Sequence, residues 1–316
     1  MEENKNFDFK LIEKLSCGEN EHQKAGLFQT NRTIDWNLIQ GLNLSYNDIL
    51  NSSVALEVVA EFFDVAALAI INHANPSAVA LGADTNQAWQ KAFDSNPICA
   101  FKSTIATTKE VSAILAKKLL EVSPRVILAP SFCDKALEIL SKDNNIKLIQ
   151  VNTELKNILN FSDEEIKITP FGALIQEKDK KDLDVNSFKV VTKRKPEQKE
   201  AEDMIFAFKI AKHTKSSSAI VVKDLRTLAI AASEANGEDS AQLALDRVCD
   251  SAKDSVLALD CSFNSINILQ IAAQNRVSGI IQPLNEGQET KEKEFIEYAN
   301  KMNLSMISTG ISHIKH

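Results

Sequence analysis

His73 sits where chemistry could be done. It follows a short apolar run at 68–71, precedes another at 78–81, and belongs to the connection Asn72-His-Ala-Asn-Pro76. Two such runs around a polar turn read as a buried strand, a reversal and a second buried strand. Pro76 fixes its own φ and drives Asn75 out of the helical region, so the chain must change direction here. The mouth of a buried strand is a common place for active-site groups, although a histidine that merely caps the turn is the plainer account of the local sequence. Ser131, Cys133 and Asp134 form a second cluster after another strand. Neither a Gly-x-Ser-x-Gly elbow nor a paired histidine accompanies them, so Ser131 reads as the cap of a helix start. His22 and His213 read as structural. His313 and His316 lie in a terminal tail that either covers an interface or frays.

The elements that must hold these residues alternate between helix and strand. A turn-rich approach at 40–50 leads to a helix with Val54, Ala55, Val58, Val59, Phe62 and Phe63 on one stripe and Glu57 and Glu61 facing away. After the strand pair around His73, Thr107-Thr-Lys-Glu110 has the pattern of a capping box opening a helix with a core face of Val111, Ile114, Leu115, Leu119 and Val122. A strand at 126–129, a helix at 134–142 and a strand at 146–151 follow. The charged segment 179–200, with Lys193-Arg-Lys-Pro196, reads as a solvated linker near a domain boundary. Beyond it, helix, strand, turn and strand recur at 201–232 in the order already seen at 54–82, which suggests two related subdomains. Strands at 256–260, 279–282 and 305–308 alternate with helices at 265–275 and 289–301. The pattern is α/β, with mixed or parallel sheets.

Composition narrows the class. With 44% hydrophobic and 25% charged residues in 316, the chain can bury a large core. A formal charge of −7 with interspersed signs disfavours nucleic acid and membrane surfaces as partners. Five cysteines (Cys17, Cys99, Cys133, Cys249, Cys261) without a CxxC pair suit reduced thiols better than disulfides or structural zinc. The acidic N-terminus lacks the form of a signal peptide and no apolar run is long enough to span a bilayer, so a soluble, cytoplasmic protein is expected.

Eight segments resemble one family, in its order along the chain. They are Gly18-Glu-Asn-Glu-His-Gln23, Leu44-Ser-Tyr-Asn-Asp-Ile-Leu50, His73-Ala-Asn-Pro76, Ala129-Pro-Ser-Phe132, Val190-Val-Thr-Lys-Arg194, Lys212-His-Thr-Lys-Ser216, Ile280-Ile-Gln-Pro283, and Thr309-Gly310 with the terminal His316. The family is the AICAR transformylase domain of the bifunctional purine-biosynthesis enzyme that also carries IMP cyclohydrolase. On this resemblance the chain is expected to be a stand-alone copy without the cyclohydrolase domain. The resemblance implies two tandem cytidine-deaminase-like subdomains of layered α/β/α form without zinc, divided here into 1–190 and 191–316. It also implies a homodimer, or a heterodimer with an active paralogue. No tightly bound cofactor is implied. The family's reaction takes a formyl group from 10-formyltetrahydrofolate, as cosubstrate, to the 5-amino group of AICAR ribonucleotide. That transfer needs proton removal from a weak amine, protonation of the folate nitrogen and stabilisation of an oxyanion.

Measured against the family, the matches hold turns and strands while the reactive positions change. A Lys-His pair becomes Asn72-His73, which replaces a cation with a neutral amide beside the proton shuttle. The Arg-Tyr-Gly turn that grips the substrate phosphate becomes Ser16-Cys17-Gly18. Ser-Asp-Pro-x-Ser-Ala-Phe-Gly-Gly becomes Ser95-Asn-Pro-Ile-Cys-Ala-Phe-Lys-Ser103, keeping Phe101 but placing Asn96 for an acid and Lys102 for a glycine. Ser217 takes a family asparagine position, and Ala229-Ile-Ala-Ala-Ser-Glu-Ala-Asn-Gly237 lacks three glycines and an arginine. The folate-pocket run at 260–268 keeps Asp260 and Phe263, and Ser312 replaces a second phosphate-binding arginine. Lys102 and Lys215 are the cations that could compensate. Two readings follow: a catalytically impaired or non-catalytic relative with a repurposed pocket, or a working formyltransferase that uses His73.

Overall fold

The computed structural model describes residues 8–30, 33–181, 188–262, 265–284 and 289–316. The chain opens with an antiparallel hairpin, β1 (Lys10–Leu15) and β2 (Ala25–Gln29). A first half follows as β3 (Trp36–Gln40), α1 (Tyr46–Ala60), β4 (Ala66–Asn72), β5 (Asn75–Gly82), α2 (Thr85–Ser95), α3 (Pro97–Ala100), β6 (Thr104–Thr107), α4 (Ala113–Val122), β7 (Val126–Ala129), α5 (Asp134–Leu140) and β8 (Lys147–Val151). A second hairpin, β9 (Glu164–Thr169) with β10 (Gly172–Glu177), leads to the second half. This comprises β11 (Lys189–Val190), α6 (Gln198–Lys212), β12 (Ala219–Lys223), β13 (Arg226–Ala231), α7 (Gly237–Val248), β14 (Val256–Leu259), α8 (Asn267–Gln274), β15 (Gly279–Gln282), α9 (Glu289–Lys301) and β16 (Ser305–Ser308).

Twelve of these strands form one mixed sheet in the order β11-β16-β15-β14-β12-β13-β5-β4-β6-β7-β8-β3. From the middle outward, each half repeats one order: a hairpin, three parallel strands, and an antiparallel edge strand that precedes the half's first long helix. The seam between β5 and β13 carries a single register pair, Arg226 with Ala80, and is reinforced by Leu81 N–H donating to Leu225 O at 2.9 Å. Thr227 Oγ1 completes it, accepting from Val79 N–H at 3.0 Å and donating to Val79 O at 3.3 Å.

Strand alternation sorts the apolar side chains onto two faces. One face packs under α1 and α6 as a single core running through both halves, where Phe62 and Phe206 meet at 5.1 Å. The other face divides into a core under α2, α4 and α5 and another under α7, α8 and α9. Among the described residues no helix is long and apolar enough to cross a membrane.

Local expectations fail where long-range partners intervene. Glu57 and Glu61 do not face solvent: their side chains are 15% and 7% exposed and ion-paired. Thr107 ends β6 instead of opening a capping box, and Ser112 caps α4 by accepting from Leu115 N–H. Ile114 and Phe63 are exposed rather than in the core. Ser131 does not cap α5, whose N-cap position is Cys133; its hydroxyl meets Glu110 at 3.3 Å. Arg194 belongs to no solvated run, because its guanidinium pairs with Glu200 and donates to Ser278 O and Asn303 O. The tail does not fray at His313, which is 2% exposed and packs on Phe208.

Candidate functional site

The β4–β5 hairpin turns through His73 (φ 51) and Ala74 (φ 56), and the β12–β13 hairpin turns through Asp224 (φ 55) and Leu225 (φ 56). Paired positive φ values are the two-residue turn that matches strand twist. A long helix holds each tip. Asn51 Oδ1 in α1 accepts from Ala74 N–H at 2.7 Å, whereas Asp203 in α6 accepts from both Asp224 and Leu225 N–H. Burial pushes the Asp203 carboxyl up, despite those two amides. His73 is exposed at its tip.

Asn72, one residue inside the turn, gives its amide to Cys99 O at 2.8 Å and Ser77 Oγ at 3.3 Å. The first bond docks α3, which Asn96 caps by accepting from Cys99 N–H. Phe101 follows, exposed, and then Lys102 at φ 53. Across the seam, Asn75 Oδ1 accepts from Lys215 N–H at 3.0 Å and ties this tip to the loop before β12. There Ser217 exchanges both backbone bonds with Glu234, and Ser218 N–H donates to Asp260 Oδ1 at 3.0 Å. Asp260 is wholly buried, and its backbone oxygen accepts from His313 N–H. Burial, and then the Asp260 charge, pushes the Cys261 thiol up to about 11. Ser312 beside His313 is exposed.

The Asn75–Lys215 bond therefore joins the hairpin that carries Asn72 and His73 to the loop that carries Ser217. Ser16, Cys17 and Gly18 are not bonded to this group. Ser16 N–H reaches Leu44 O and Cys17 O accepts from Tyr46 N–H, both at the start of α1, while Gly18 N–H closes on Gln23 O within the β1–β2 connection. Phe263 lies outside the described residues.

Lys102, singled out in the sequence as a cation that could compensate, joins residues that the sequence reading did not single out. A cavity of about 900 Å³ opens at the N-terminal ends of β6, β7 and β8, lined in part by Lys102, Arg125 and Lys147 with Asn144 and Asn145. Asp48, fully buried in α1, anchors two of these cations: Oδ1 pairs with Arg125 Nε and Oδ2 with Lys147 Nζ, each at 2.5 Å. Burial opposes the Asp48 charge, but Lys147, the Ser45 amide and Arg125 together hold the carboxyl below its usual range. The available sequence signal was a basic residue just before β6 and β7 and at the start of β8.

A buried ionic cluster braces the two halves from behind. Glu57 meets Lys178 at 2.6 Å and Lys315 at 3.2 Å, and Glu61 meets His213 at 2.9 Å and Lys212 at 3.0 Å. His213 Nδ1 lies 3.7 Å from Glu57. Burial alone would raise both glutamates. Against it, His213 with Lys315 and Lys178 holds Glu57 far below its ordinary value, while His213 with Lys212 brings Glu61 to about 2.

Comparison with known proteins adds ancestry to this geometry. The family model described as "AICARFT/IMPCHase bienzyme" matches residues 1–247. The bifunctional purine biosynthesis protein PurH of Anoxybacillus flavithermus is 34% identical over 315 residues, covering 96% of this chain and 59% of that protein. The proteins of the same name from Caldicellulosiruptor bescii and Fusobacterium nucleatum are 36% and 37% identical, covering 97% and 98% of this chain and 60% and 61% of theirs. The chain thus spans about 60% of the length of these relatives.

Proposed function

Because the chain belongs to the AICARFT/IMPCHase bienzyme family, we propose that it keeps a transformylase scaffold in which formyl transfer is impaired or absent. The observation that carries this reading is Asn72. It holds the family lysine's position beside His73, and its neutral amide is committed to Cys99 and Ser77. An oxyanion forming at the formyl carbon would find no charge on this side chain. Removing one such stabiliser typically costs on the order of a hundred- to a thousandfold in rate. Ser16 and Ser312, at the two positions expected to grip a phosphate, offer hydroxyls in place of guanidinium forks.

The duplicated strand order supports two tandem cytidine-deaminase-like subdomains, 1–190 and 191–316, joined through the seam. A homodimer is the proposed assembly, with a paralogous transformylase as the other partner to test. Ile168 and Phe171 near the tip of the β9–β10 hairpin are 83% and 100% exposed, apolar side chains suited to such a contact. The proposed compartment is the cytoplasm.

Formyl transfer from 10-formyltetrahydrofolate to AICAR ribonucleotide by the purified chain tests the central reading, with His73→Ala as control. No turnover above the control is expected at saturating substrate. Turnover that disappears in His73→Ala would refute impairment.

A further inference from the structure

We propose that the cavity beneath the β1–β2 hairpin binds a small, neutral, planar aromatic molecule of bicyclic size that donates one hydrogen bond to Ser52. The cavity measures about 260 Å³ and is walled by that hairpin, β3, the flank of α1, β7, β8 and the 3-10 turn Leu155–Asn160 after β8. It takes in none of the positions to which the family resemblance assigns chemistry. The inference therefore goes beyond the transformylase reading and holds whether or not formyl transfer survives.

Size and charge define the guest. Ile12, Leu27, Trp36, Leu56, Ile149 and Phe161 supply much of an apolar wall. An apolar space of about 150 Å³ suffices for benzene, so a space of about 260 Å³ suits two fused rings. Trp36 and Phe161 favour a planar aromatic guest, because ring pairs attract beyond the area they bury. Among the described residues, the one ionisable side chain in the wall is Glu57, and it is already paired with Lys178 at 2.6 Å and Lys315 at 3.2 Å. An ionic guest would lose its hydration without gaining a partner, so the guest is neutral.

Two neighbouring serines supply the polar anchor. Ser52 and Ser53 are consecutive on α1, and both line the cavity. Ser53 Oγ donates to Ile49 O at 2.9 Å, the bond one turn back that a helical serine can make. Ser52 is 5% exposed, and its Oγ finds no partner among the described residues. A buried hydroxyl left unpaired destabilises a fold, and an alanine there would avoid the cost. An N–H or O–H on the guest supplies the missing partner.

The cover is shaped for the same space. β1 and β2 pair only with each other and lie outside the twelve-stranded sheet. Their ladder skips Ile12: Leu11 faces Phe28, and Glu13 faces Leu27. A bulge of this kind re-aims a side chain, and Ile12 lines the cavity. The hairpin is tied to the start of α1 at its turn end, by Ser16 N–H to Leu44 O and Tyr46 N–H to Cys17 O. A guest can enter from the other end without disturbing the large sheet.

The test is calorimetric titration of the full chain with indole and with benzothiophene, a bicycle of the same shape that lacks the N–H. The proteins are wild type, Ser52→Ala, Leu27→Trp and the surface control Lys117→Gln. Saturable binding is expected in wild type and in Lys117→Gln, with indole favoured over benzothiophene roughly three- to tenfold by one hydrogen bond. Ser52→Ala should erase that preference and melt no lower than wild type, because it removes an unpaired hydroxyl. Leu27→Trp, which places a ring of its own in the space, should abolish binding of both bicycles. Absence of saturable binding, a preference that survives Ser52→Ala, or unchanged affinity in Leu27→Trp would overturn the proposal. So would a smaller assembly of Leu27→Trp in light scattering, which would assign the space to a second copy of the chain.

Discussion

The two hairpin tips pose the same problem and solve it with different residues. Asn51 offers one amide oxygen to one turn N–H, whereas Asp203 spreads a carboxylate over two. Removing an acceptor from a buried donor costs about 1–3 kcal/mol, so the number of donors left behind sets the penalty. Asn51→Ala is therefore expected to lower stability by about 1 kcal/mol and Asp203→Ala by about twice that, read as shifts of the denaturant midpoint. Equal shifts would mean that the caps are not what holds the tips. The same bookkeeping explains why Asn72 was legible as a changed position but not as a committed one. Its neighbours in sequence identify the turn, while its partner Cys99 lies 27 residues away. Arg125 and Lys147 were less legible still, since Asp48, which orients them, is 77 and 99 residues away.

Among the elements, α1 and α6 matter for their ends as well as their apolar stripes. Glu57 and Glu61 near the C-terminal end of α1 bind Lys212 and His213 from α6, Lys178 after β10, and Lys315 from the tail. Glu61 titrates near 2 in the fold against an ordinary 4.5. A depressed folded pKa gives stability that is present above 4.5 and is lost as pH falls toward 2. Acid unfolding should accordingly set in within that window. Glu61→Gln should lose about 3 kcal/mol near neutrality and flatten the acid limb; an unchanged acid limb would show that Glu61 does not set it. Buried runs such as those in β4, β5 and β7 declared themselves by continuous apolar sequence. The β1–β2 and β9–β10 hairpins did not, because most of their residues are exposed and carry no clean alternation. Glu57 and Glu61 were misjudged for a related reason: helical spacing says which face is polar, not whether distant cations cover it.

On the scale of the whole molecule, the duplicated order of helices and strands was visible in the sequence, and the single sheet that joins the halves was not. Nothing local distinguishes the inner strand of a hairpin that will meet another half from one that will face water. The exposed apolar side chains of β9–β10 carry the assembly prediction. Wild type is expected to run as a dimer in light scattering, and Phe171→Asp should shift it toward the monomer by weakening an apolar contact. A wild-type monomer, or an unshifted variant, would place the contact elsewhere or remove it.

The seam between β5 and β13 sets how the halves can move. Its backbone ladder is one register pair and the Leu81 bond to Leu225, with Thr227 supplying the bonds to Val79 that a longer ladder would provide. In amide hydrogen exchange, Leu81 and Val79 are therefore the reporters of separation between the halves. If they exchange with the deepest core amides of β4 and β12, the molecule opens only by global unfolding. If they exchange sooner, the seam is a hinge, and the link from Asn75 to Lys215 opens and closes with it.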